Sequence, residues 1–448
     1  MIKNSLRNLG SILIGTNTEK EYREISNISD RDRLQAFVKL KLNNLLLHAY
    51  QHTQYYHEVF DQIGIVQDGY IDISRIHEIP LLTKEIIRQR HGDLISDDLK
   101  NRGCFYNTSG GSTGEPIRLI QDRQFQRWAT ATNNYYYKEI LNIDEPIVKK
   151  IIVWGSERDL FTGTLGTKAK ITNWLTNTIP LNSFRMAPKD IEHYIHTINT
   201  YKPDLIRGYA GSLHEICRYA EKNNLDVYSP KVVVSAAETL TDEMRDQIER
   251  VFGRKLYNFY GSREVSNLAG ECQDGLMHSF AFWNYQELLD KHNHPVKQGE
   301  EGKVIVTNLF NYSMPLIRYD IGDMAILGPE HCSCGNILPV FKKITGRITD
   351  HFVLKSGATI PAEFFIHLLG VVCNTGKIKQ FQVIQEDYDM IRILVVTGTG
   401  LTEGYKKDVE SKIKVGVGPD CKITWDFVDD IPKTPTGKYL YTKSLVQR

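Results

Sequence analysis

Residues 205–236 decide the fold, and they read LIRGYAGSLHEICRYAEKNNLDVYSPKVVVSA. Two short apolar runs, at residues 205–209 and 232–234, enclose a polar-patterned stretch that is long enough for a helix. Similar runs at residues 151–154 and 256–260 extend the alternation on both sides. Because strands that alternate with helices form βαβ units, this segment predicts an α/β fold with a largely parallel sheet.

The flanking regions follow other patterns. Apolar positions at mixed spacings of three and four predict amphipathic helices over residues 30–65, ending near Gly64. Residues 302–350 carry the runs KVIVTNLF and MPLIRYDIGD, which predict a β-rich portion with little helix. Helix and strand signals alternate again from residue 357 to residue 448. We therefore expect a large N-terminal domain over residues 1–346 and a small α+β domain over residues 347–448.

Composition limits the classes of partner. The chain has 448 residues, of which 55 are Lys or Arg and 54 are Asp or Glu, so its formal net charge is +1. A nearly neutral chain has no net field to draw it to nucleic acid or to an anionic membrane, and neither partner is expected. With 41% hydrophobic residues, the chain is far too apolar to be disordered.

Two further features concern the cellular compartment. No stretch approaches the roughly 20 consecutive apolar residues of a membrane helix, and the first residues show no secretory signal. Seven cysteines are an odd and sparse set for this length, which does not suit a disulfide framework. We therefore expect a cytoplasmic protein in a reducing environment.

The most informative loop is Thr108-Ser109-Gly110-Gly111-Ser112-Thr113-Gly114-Glu115-Pro116. Glycines allow backbone N–H groups to approach a ligand, and hydroxyls add donors, as a phosphate cradle requires. A Walker A loop would continue with Lys after Gly114, so an ordinary NTPase is not predicted. Taken alone, the loop could also be a mobile surface linker.

Six motifs in order resemble those of adenylate-forming enzymes, the superfamily of acyl-CoA synthetases, peptide-synthetase adenylation domains and luciferases. The loop resembles their phosphate-binding signature. The other five resemble the adenine-side segment, the Tyr-Gly-x-x-Glu segment, the ribose-binding Asp motif, the interdomain hinge and the C-terminal lysine motif. They are Ser235-Ala236-Ala237-Glu238, Tyr260-Gly261-Ser262-Arg263-Glu264, Arg318-Tyr319-Asp320-Ile321-Gly322-Asp323, Gly346-Arg347-Ile348-Thr349-Asp350 and Pro432-Lys433-Thr434-Pro435-Thr436-Gly437-Lys438. The segments LLLHAYQHTQYYHEVFDQIGI and Pro80-Leu81-Leu82-Thr83-Lys84 resemble the phenylacetate-CoA ligase branch, which includes relatives in capsular polysaccharide gene clusters.

This resemblance implies a nucleotide site for ATP and AMP. In the superfamily a carboxylate joins the α-phosphate of ATP, pyrophosphate leaves, and a mobile C-terminal domain closes over the site. Glu264 would bind Mg²⁺, Asp323 would bind the ribose with support from Arg347, and Lys438 would bridge the carboxylate and the α-phosphate. The remaining positions implied for ATP or AMP are Thr108, Ser109, Gly110, Gly111, Ser112, Thr113, Gly114, Ala237, Glu238, Tyr260, Gly261, Ser262 and Arg263.

Two positions depart from the superfamily pattern. Arg263 replaces the commoner Thr, and its guanidinium could meet a phosphate, a carboxylate substrate or an ordinary surface carboxylate. Thr349 stands where Asp or Lys is usual in the hinge, which bears on the second rotation used for thioester formation.

A possible metal site and an acid pocket complete the candidate residues. Cys272, His278, Cys332 and Cys334 form a Cys₃His set suited to structural Zn²⁺, as in some bacterial members of the branch, and His331 is an alternative imidazole. Buried free thiols are the competing interpretation. Tyr209, Ala236 and Phe259 are the residues expected in the acid pocket. The aromatic residues 135–137 and Trp154 either line that pocket or belong to the core.

We therefore predict an enzyme that uses Mg·ATP to activate a carboxylic acid, with phenylacetate or another aryl acid as the default, and that transfers the acyl group to CoA. Alternatives are transfer to an amine, a sugar or a carrier, and transfer of AMP to a hydroxyl, as in deazaflavin-adenylylating relatives. A noncatalytic scaffold that binds nucleotide and zinc is the alternative of another class. The acid and the oligomeric state stay open, with a homodimer as one option.

Overall fold

The computed structural model describes residues 17–67, 69–108, 117–155, 167–345, 352–355, 359–360, 362–369, 373, 378–397, 401–431 and 441–446. Its helices, in chain order from α1 to α11, are Glu19–Ser26, Arg31–His52, Gln54–Ile63, Lys84–Gln89, Arg123–Tyr135, Thr167–Leu175, Pro188–Tyr201, Ala210–Lys222, Asp242–Phe252, Ala362–His367 and Glu403–Val417. None of these helices has the length and apolar character needed to cross a bilayer.

The strands run from β1 to β21 in chain order. They are Val66–Gln67, Tyr70–Ile71, Cys104–Thr108, Arg118–Asp122, Lys150–Trp154, Thr178–Asn182, Leu205–Tyr209, Val232–Ala236, Leu256–Ser262, Ser266–Glu271, Met277–Ser279, Asn284–Leu289, Glu301–Asn308, Tyr319–Leu327, Val340–Ile344, Phe352–Val353, Thr359–Ile360, Ile378–Asp387, Met390–Thr397, Lys422–Phe427 and Thr442–Ser444.

The N-terminal helices begin and end where local chemistry places them. The Asp30 side chain accepts from the Arg33 amide at the start of α2, and Thr53 caps α3 in the same way. Gly64 ends α3 in the left-handed conformation, with a φ of 62°. The helical layer and its end near Gly64 are therefore confirmed.

One sheet of 11 strands organises the large part of the chain. Its order is β12-β13-β14-β15-β11-β10-β9-β8-β7-β5-β6. Strands β6, β5, β7, β8 and β9 are mutually parallel, whereas β9 to β15 pair antiparallel. The parallel α/β segment and the β-rich portion of the sequence prediction are thus joined in a single sheet, which confirms the fold class.

The two faces of the parallel half have different neighbours. Ile206 and Val233 face a core shared with α7, α8 and α9, to which Ile195 and Ile248 belong. Register pairs Tyr209 with Ala236 and Ala236 with Phe259, so these side chains share the opposite face. Most of this second face packs against the large core, and its carboxyl end borders a cavity, so we call it the ligand-facing side.

The C-terminal residues form a sheet of their own, with the order β20-β19-β18-β21. Its core contains Phe352, Phe381 and Ile413, and it also includes Phe184 and Tyr209 from the large part of the chain. The rings of Phe184 and Phe364 lie 5.5 Å apart between centroids. The C-terminal sheet and α10 therefore pack beside the ligand-facing side of the parallel strands.

Candidate functional site

A cavity of about 430 Å³ opens at the carboxyl ends of the parallel strands. Trp154, Tyr209 and Ala236 stand at the last positions of β5, β7 and β8, and all three line it. In open α/β sheets, ligands bind where the carboxyl ends of the strands form a crevice. We call this space the central cavity; it is also lined by Arg207, Ala237, Glu238, Thr239, Leu240, Asn258, Phe259, Tyr260, Gly261, Ser262, Arg263, Glu264, Ser266, Asn267, Ile321, Asp323, Ile344, Ile366 and Tyr441.

Residues of three predicted nucleotide motifs meet in this cavity. The Tyr260 hydroxyl on β9 donates to Oδ2 of Asp323 on β14 over 2.9 Å. Ala237 has a φ of 69°, which turns the chain directly after β8. The Glu238 carboxylate accepts from the Gly211 amide over 2.6 Å and so links this turn to the start of α8. Motifs that are far apart in sequence are therefore held in fixed relation.

The Glu264 carboxylate is buried, with 6% of the residue exposed, and lies near two polar groups. The Lys84 ammonium is 3.8 Å from Glu264 Oε1, and the Tyr319 hydroxyl is 3.4 Å from the same oxygen. The Gln121 amide donates to the backbone carbonyls of Arg263 and Glu264 over 2.9 and 3.1 Å. These contacts fix the direction of the Tyr-Gly-x-x-Glu segment.

Thr108, the first residue of the glycine and hydroxyl loop, is the last residue of β3. Strand β3 pairs with β4, which carries Gln121, so the two ends of the loop start beside the Glu264 segment. Ser109, Gly110, Gly111, Ser112, Thr113, Gly114, Arg347 and Lys438 lie outside the described residues. Tyr441, three residues after Lys438, lines the central cavity.

Aromatic and cationic side chains form one side of the central cavity, where the predicted acid-pocket residues Tyr209 and Phe259 lie. The rings of Trp154 and Tyr209 lie 4.3 Å apart between centroids. The Arg207 guanidinium lies 5.5 Å from the Trp154 ring centroid and 4.9 Å from that of Phe259. Burial lowers the pKa of the Arg263 guanidinium.

The predicted pocket residues Tyr209, Ala236 and Phe259 all line the central cavity. The tyrosine run does not line this cavity; Tyr135, Tyr136 and Tyr137 are instead buried in the core of the large part of the chain. The Tyr136 ring packs edge-on against the Phe280 ring and lies 5.1 Å from the Phe259 ring between centroids, behind the cavity wall. Of the two interpretations of this run, the core one is correct.

The cysteine and histidine set comes together away from the central cavity. One ligand atom from each of Cys272, His278, Cys332 and Cys334 lies within 4.8 Å of the others. The sulfurs of Cys272 and Cys332 are 3.6 Å apart, and Cys334 Sγ is 3.2 Å from His278 Nε2. Tetrahedral zinc with Zn–S about 2.3 Å and Zn–N about 2.05 Å requires separations of about 3.8 and 3.5 Å. These two separations are therefore within a few tenths of an ångström of those in a zinc site, and the other donor pairs lie within 4.8 Å.

The surroundings of this Cys₃His cluster also suit a cation. His278 is fully buried, and its Nδ1 has no hydrogen-bond partner among the described residues. The Asp274 amide points at Cys272 Sγ over 3.4 Å, as it would toward a thiolate. His331, the alternative imidazole, has a side chain that is 74% exposed and does not belong to the cluster.

Sequence reasoning overlooked two residues of the central site. Lys84 was noted only as part of a branch resemblance, although it is buried and contacts Glu264. Arg207 was noted only within a strand, although it lines the cavity. A charged residue inside the apolar run of β7 was the available signal for Arg207, whereas nothing local distinguishes Lys84 from other lysines.

Comparison with known proteins shows likeness along nearly the whole chain. A family model described as the CapK C-terminal domain matches residues 352–444. Protein CapK of Staphylococcus aureus is 25% identical, over 94% of this chain and 91% of its own length. Phenylacetate-coenzyme A ligase of Thermus thermophilus is 22% identical, over 91% of this chain and 96% of its own length.

The fold is also found among solved structures. 2-Hydroxyisobutyryl-CoA ligase in complex with 2-HIB-AMP and CoA, in the thioesterification state, superposes with a TM-score of 0.60 at 17% identity, covering 92% of this chain and 90% of that one. The resemblance inferred from the sequence is thereby confirmed: the chain is similar to the adenylate-forming superfamily in the branch of CapK and the phenylacetate-CoA ligases.

Proposed function

We propose that this protein uses Mg·ATP to convert a carboxylic acid into an acyl-adenylate and then transfers the acyl group to CoA. The observation that carries the proposal is the convergence of the Tyr260–Asp323 and Lys84–Glu264 pairs with the cationic, aromatic wall in one cavity. The similarity to phenylacetate-CoA ligases supports a carboxylic acid as the substrate and the CoA thiol as the acceptor.

The reaction has two balanced steps. A carboxylate oxygen of the acid attacks the α-phosphorus of ATP, the bond to the β-phosphate oxygen breaks, and pyrophosphate leaves. The CoA sulfur then attacks the acyl carbon, the thiol proton is released, and AMP leaves with the oxygen that came from the acid. Both steps move negative charge, so positioned cations and donors stabilise the transition states.

Four residues of the chain have proposed roles in these steps. Asp323 would bind the ribose hydroxyls, with its position set by Tyr260. Arg263, which lines the central cavity beside Glu264, would meet the α-phosphate or the reacting carboxylate. Lys438 would bridge these two anions, which requires the C-terminal domain, proposed to begin near residue 347, to rotate onto the site.

Magnesium fits the donors that the site offers. Mg²⁺ prefers oxygen ligands and is commonly held by one or two carboxylates plus substrate phosphates. Glu264 supplies a buried carboxylate in the cavity, and Lys84 and Tyr319 hold it in place. When bound, the ion would offset the charge of the phosphates.

We also propose that the Cys₃His cluster holds a structural Zn²⁺. All four positions would be filled by protein ligands, which leaves none open for substrate. The cluster links the β10–β11 hairpin to the segment before β15, so the ion would stabilise this part of the sheet. All seven cysteines of the chain are free thiols, which supports a reducing cytoplasm as the place of action.

Pyrophosphate release tests the proposal. Wild-type protein is incubated with Mg·ATP and aryl, aliphatic and dicarboxylic acids, with and without CoA, beside the Lys438→Ala variant. The proposal expects acid-dependent release that falls at least 100-fold in the variant, with acyl-CoA formed when CoA is present. Acid-dependent pyrophosphate release without acyl-CoA formation would indicate that the acceptor is an amine, a sugar or a carrier instead of CoA. Transfer of AMP to a hydroxyl without any acid, or nucleotide binding without turnover, would contradict adenylation of an acid.

A further inference from the structure

The Arg207 side chain occupies an unusual position in the middle of the parallel sheet. It lies on β7 two residues before Tyr209, so both side chains point to the ligand-facing side. Its register partners on β5 and β8, Ile152 and Val234, are apolar. The guanidinium is therefore half-buried among aliphatic and aromatic groups, and it lines the central cavity.

The charge of Arg207 has no carboxylate to balance it. No described Asp or Glu forms an ion pair with Arg207 or with Arg263, although most arginines of the described chain have such a partner. The Nε of Arg207 is buried and has no hydrogen-bond partner among the described residues. A partly buried cation is stabilised by an anion beside it, and none of the described carboxylates forms an ion pair with Arg207, so the anion of a ligand would fit here.

A second cavity adjoins the first at these two arginines. This side cavity, of about 410 Å³, shares Arg207 and Arg263 with the central cavity and lies against α5. Gln126, Thr130 and Asn133 of that helix line it. The amides, the hydroxyl and the two cations of this wall, which two phenylalanines adjoin, offer partners for the polar end of an anionic ligand.

We propose that the acid substrate carries a second anionic group, and that Arg207 binds it. This inference rests on the proposed function, because one carboxylate must remain to react at the α-phosphate beside Arg263. The α-phosphate and this reacting carboxylate supply the anions for Arg263, and Arg207, two residues before the end of β7, is then available for a second anionic group of the acid. The substrate class is thus a small polar dianion, such as a dicarboxylate, which differs from the phenylacetate-like acid that the family resemblance predicts.

Matched acids of equal length test this assignment. Succinate is compared with butyrate, fumarate with crotonate, and 3-phosphonopropionate distinguishes a phosphate-like second group from a carboxylate; phenylacetate is included as well. Each acid is assayed for pyrophosphate release and, separately, for binding to the whole protein by calorimetry. The variants are Arg207→Met, which keeps the apolar stem, Arg207→Lys, which keeps the charge, and Arg254→Met, an exposed control.

The inference predicts that dianions exceed their matched monoanions by about 10- to 100-fold in affinity or in kcat/KM, the range of a charge-assisted pair. Arg207→Met should abolish this preference by bringing each dianion down to the level of its matched monoanion in the same variant, Arg207→Lys should restore part of the preference, and Arg254→Met should leave it intact. If Arg207 had only a structural role, Arg207→Met would lower the affinity and kcat/KM for every acid by the same factor, and that result would overturn the inference.

The two proposals fail in different ways. If dianions bind through Arg207 but no acid releases pyrophosphate, the substrate class stands and the adenylation reaction does not. If monoanions turn over or bind as well as every dianion, or if Arg207→Met retains the preference, the inference is wrong while adenylation stands. Absence of binding and turnover for all dianions of the panel would also overturn it.

Discussion

The Cys334→Ser variant tests the Cys₃His cluster. Cys334 Sγ lies 3.2 Å from His278 Nε2, and a serine oxygen there is a poorer zinc ligand than a thiolate. Wild-type protein should contain one Zn²⁺ per chain, and the variant should lose it on dialysis against a chelator. Metal content by inductively coupled plasma mass spectrometry measures both.

The loss of zinc should also lower thermal stability by a calculable amount. With free zinc at about 1,000 times its dissociation constant, binding stabilises the folded state by about 4 kcal/mol. An unfolding entropy of about 2.1 cal/mol/K per residue over ~330 residues is about 0.7 kcal/mol/K. Calorimetry should therefore show a Tm about 6 °C lower for zinc-free protein, provided that this part unfolds as one unit.

Cys104→Ser is the matched control. The Cys104 thiol is half-buried, lies 3.1 Å from the Ser313 hydroxyl, and is not in the cluster, so a serine can keep its contact. This variant should retain zinc and the wild-type Tm. Wild-type protein that binds neither Zn²⁺ nor Co²⁺ at micromolar concentration, or equal zinc content in Cys334→Ser, would refute the argument from donor geometry.

Three further predictions concern single positions. Gly261→Ala should lower kcat/KM at least tenfold, because the added Cβ would lie 2.8 Å from the Ser266 carbonyl oxygen. Gly92→Ala, which has open space around its Cβ, is the control. Equal kcat/KM values for the two variants would contradict this prediction. Glu287→Gln should lower the free energy of unfolding by about 3 kcal/mol in urea titrations, because the buried Arg318 guanidinium loses the carboxylate that it binds through two hydrogen bonds. A change below about 1 kcal/mol would mean that the hydrogen bonds to the His77 and Ile79 carbonyls are enough to stabilise the Arg318 charge. Lys84→Met should raise the Mg²⁺ concentration needed for half-maximal turnover and cost about 2 to 3 kcal/mol of stability, whereas unchanged Mg²⁺ dependence would separate Lys84 from the metal.

The elements that the sequence predicted well are those with local signals. The apolar runs of β5, β7 and β8 are mostly buried on both faces, so their strand character shows in composition alone. Gly64 and the Asp30 cap mark helix ends through local backbone chemistry. What could not be predicted is that β9 and β10 join the parallel half to the antiparallel half, since strand order depends on long-range pairing.

The site residues also separate into those that the sequence indicated and those that only tertiary packing reveals. Tyr260 and Asp323 were chosen by motif resemblance, and the structure brings them into hydrogen-bond contact. Lys84 and Glu264 are far apart in the sequence, so only tertiary packing reveals their pairing. The direction of the Arg207 side chain depends on strand register, because a shift by one residue would turn it into the core shared with α8.

Oxygen transfer from the acid to AMP tests the central claim most directly. An acid labelled with ¹⁸O in its carboxylate is incubated with the protein, Mg·ATP and CoA, and the products are analysed by mass spectrometry. Adenylation predicts one labelled oxygen in AMP and none in pyrophosphate, because the carboxylate oxygen stays on the α-phosphorus when the acyl group leaves. Labelled phosphate with ADP, or thioester formation with unlabelled AMP, would contradict the account.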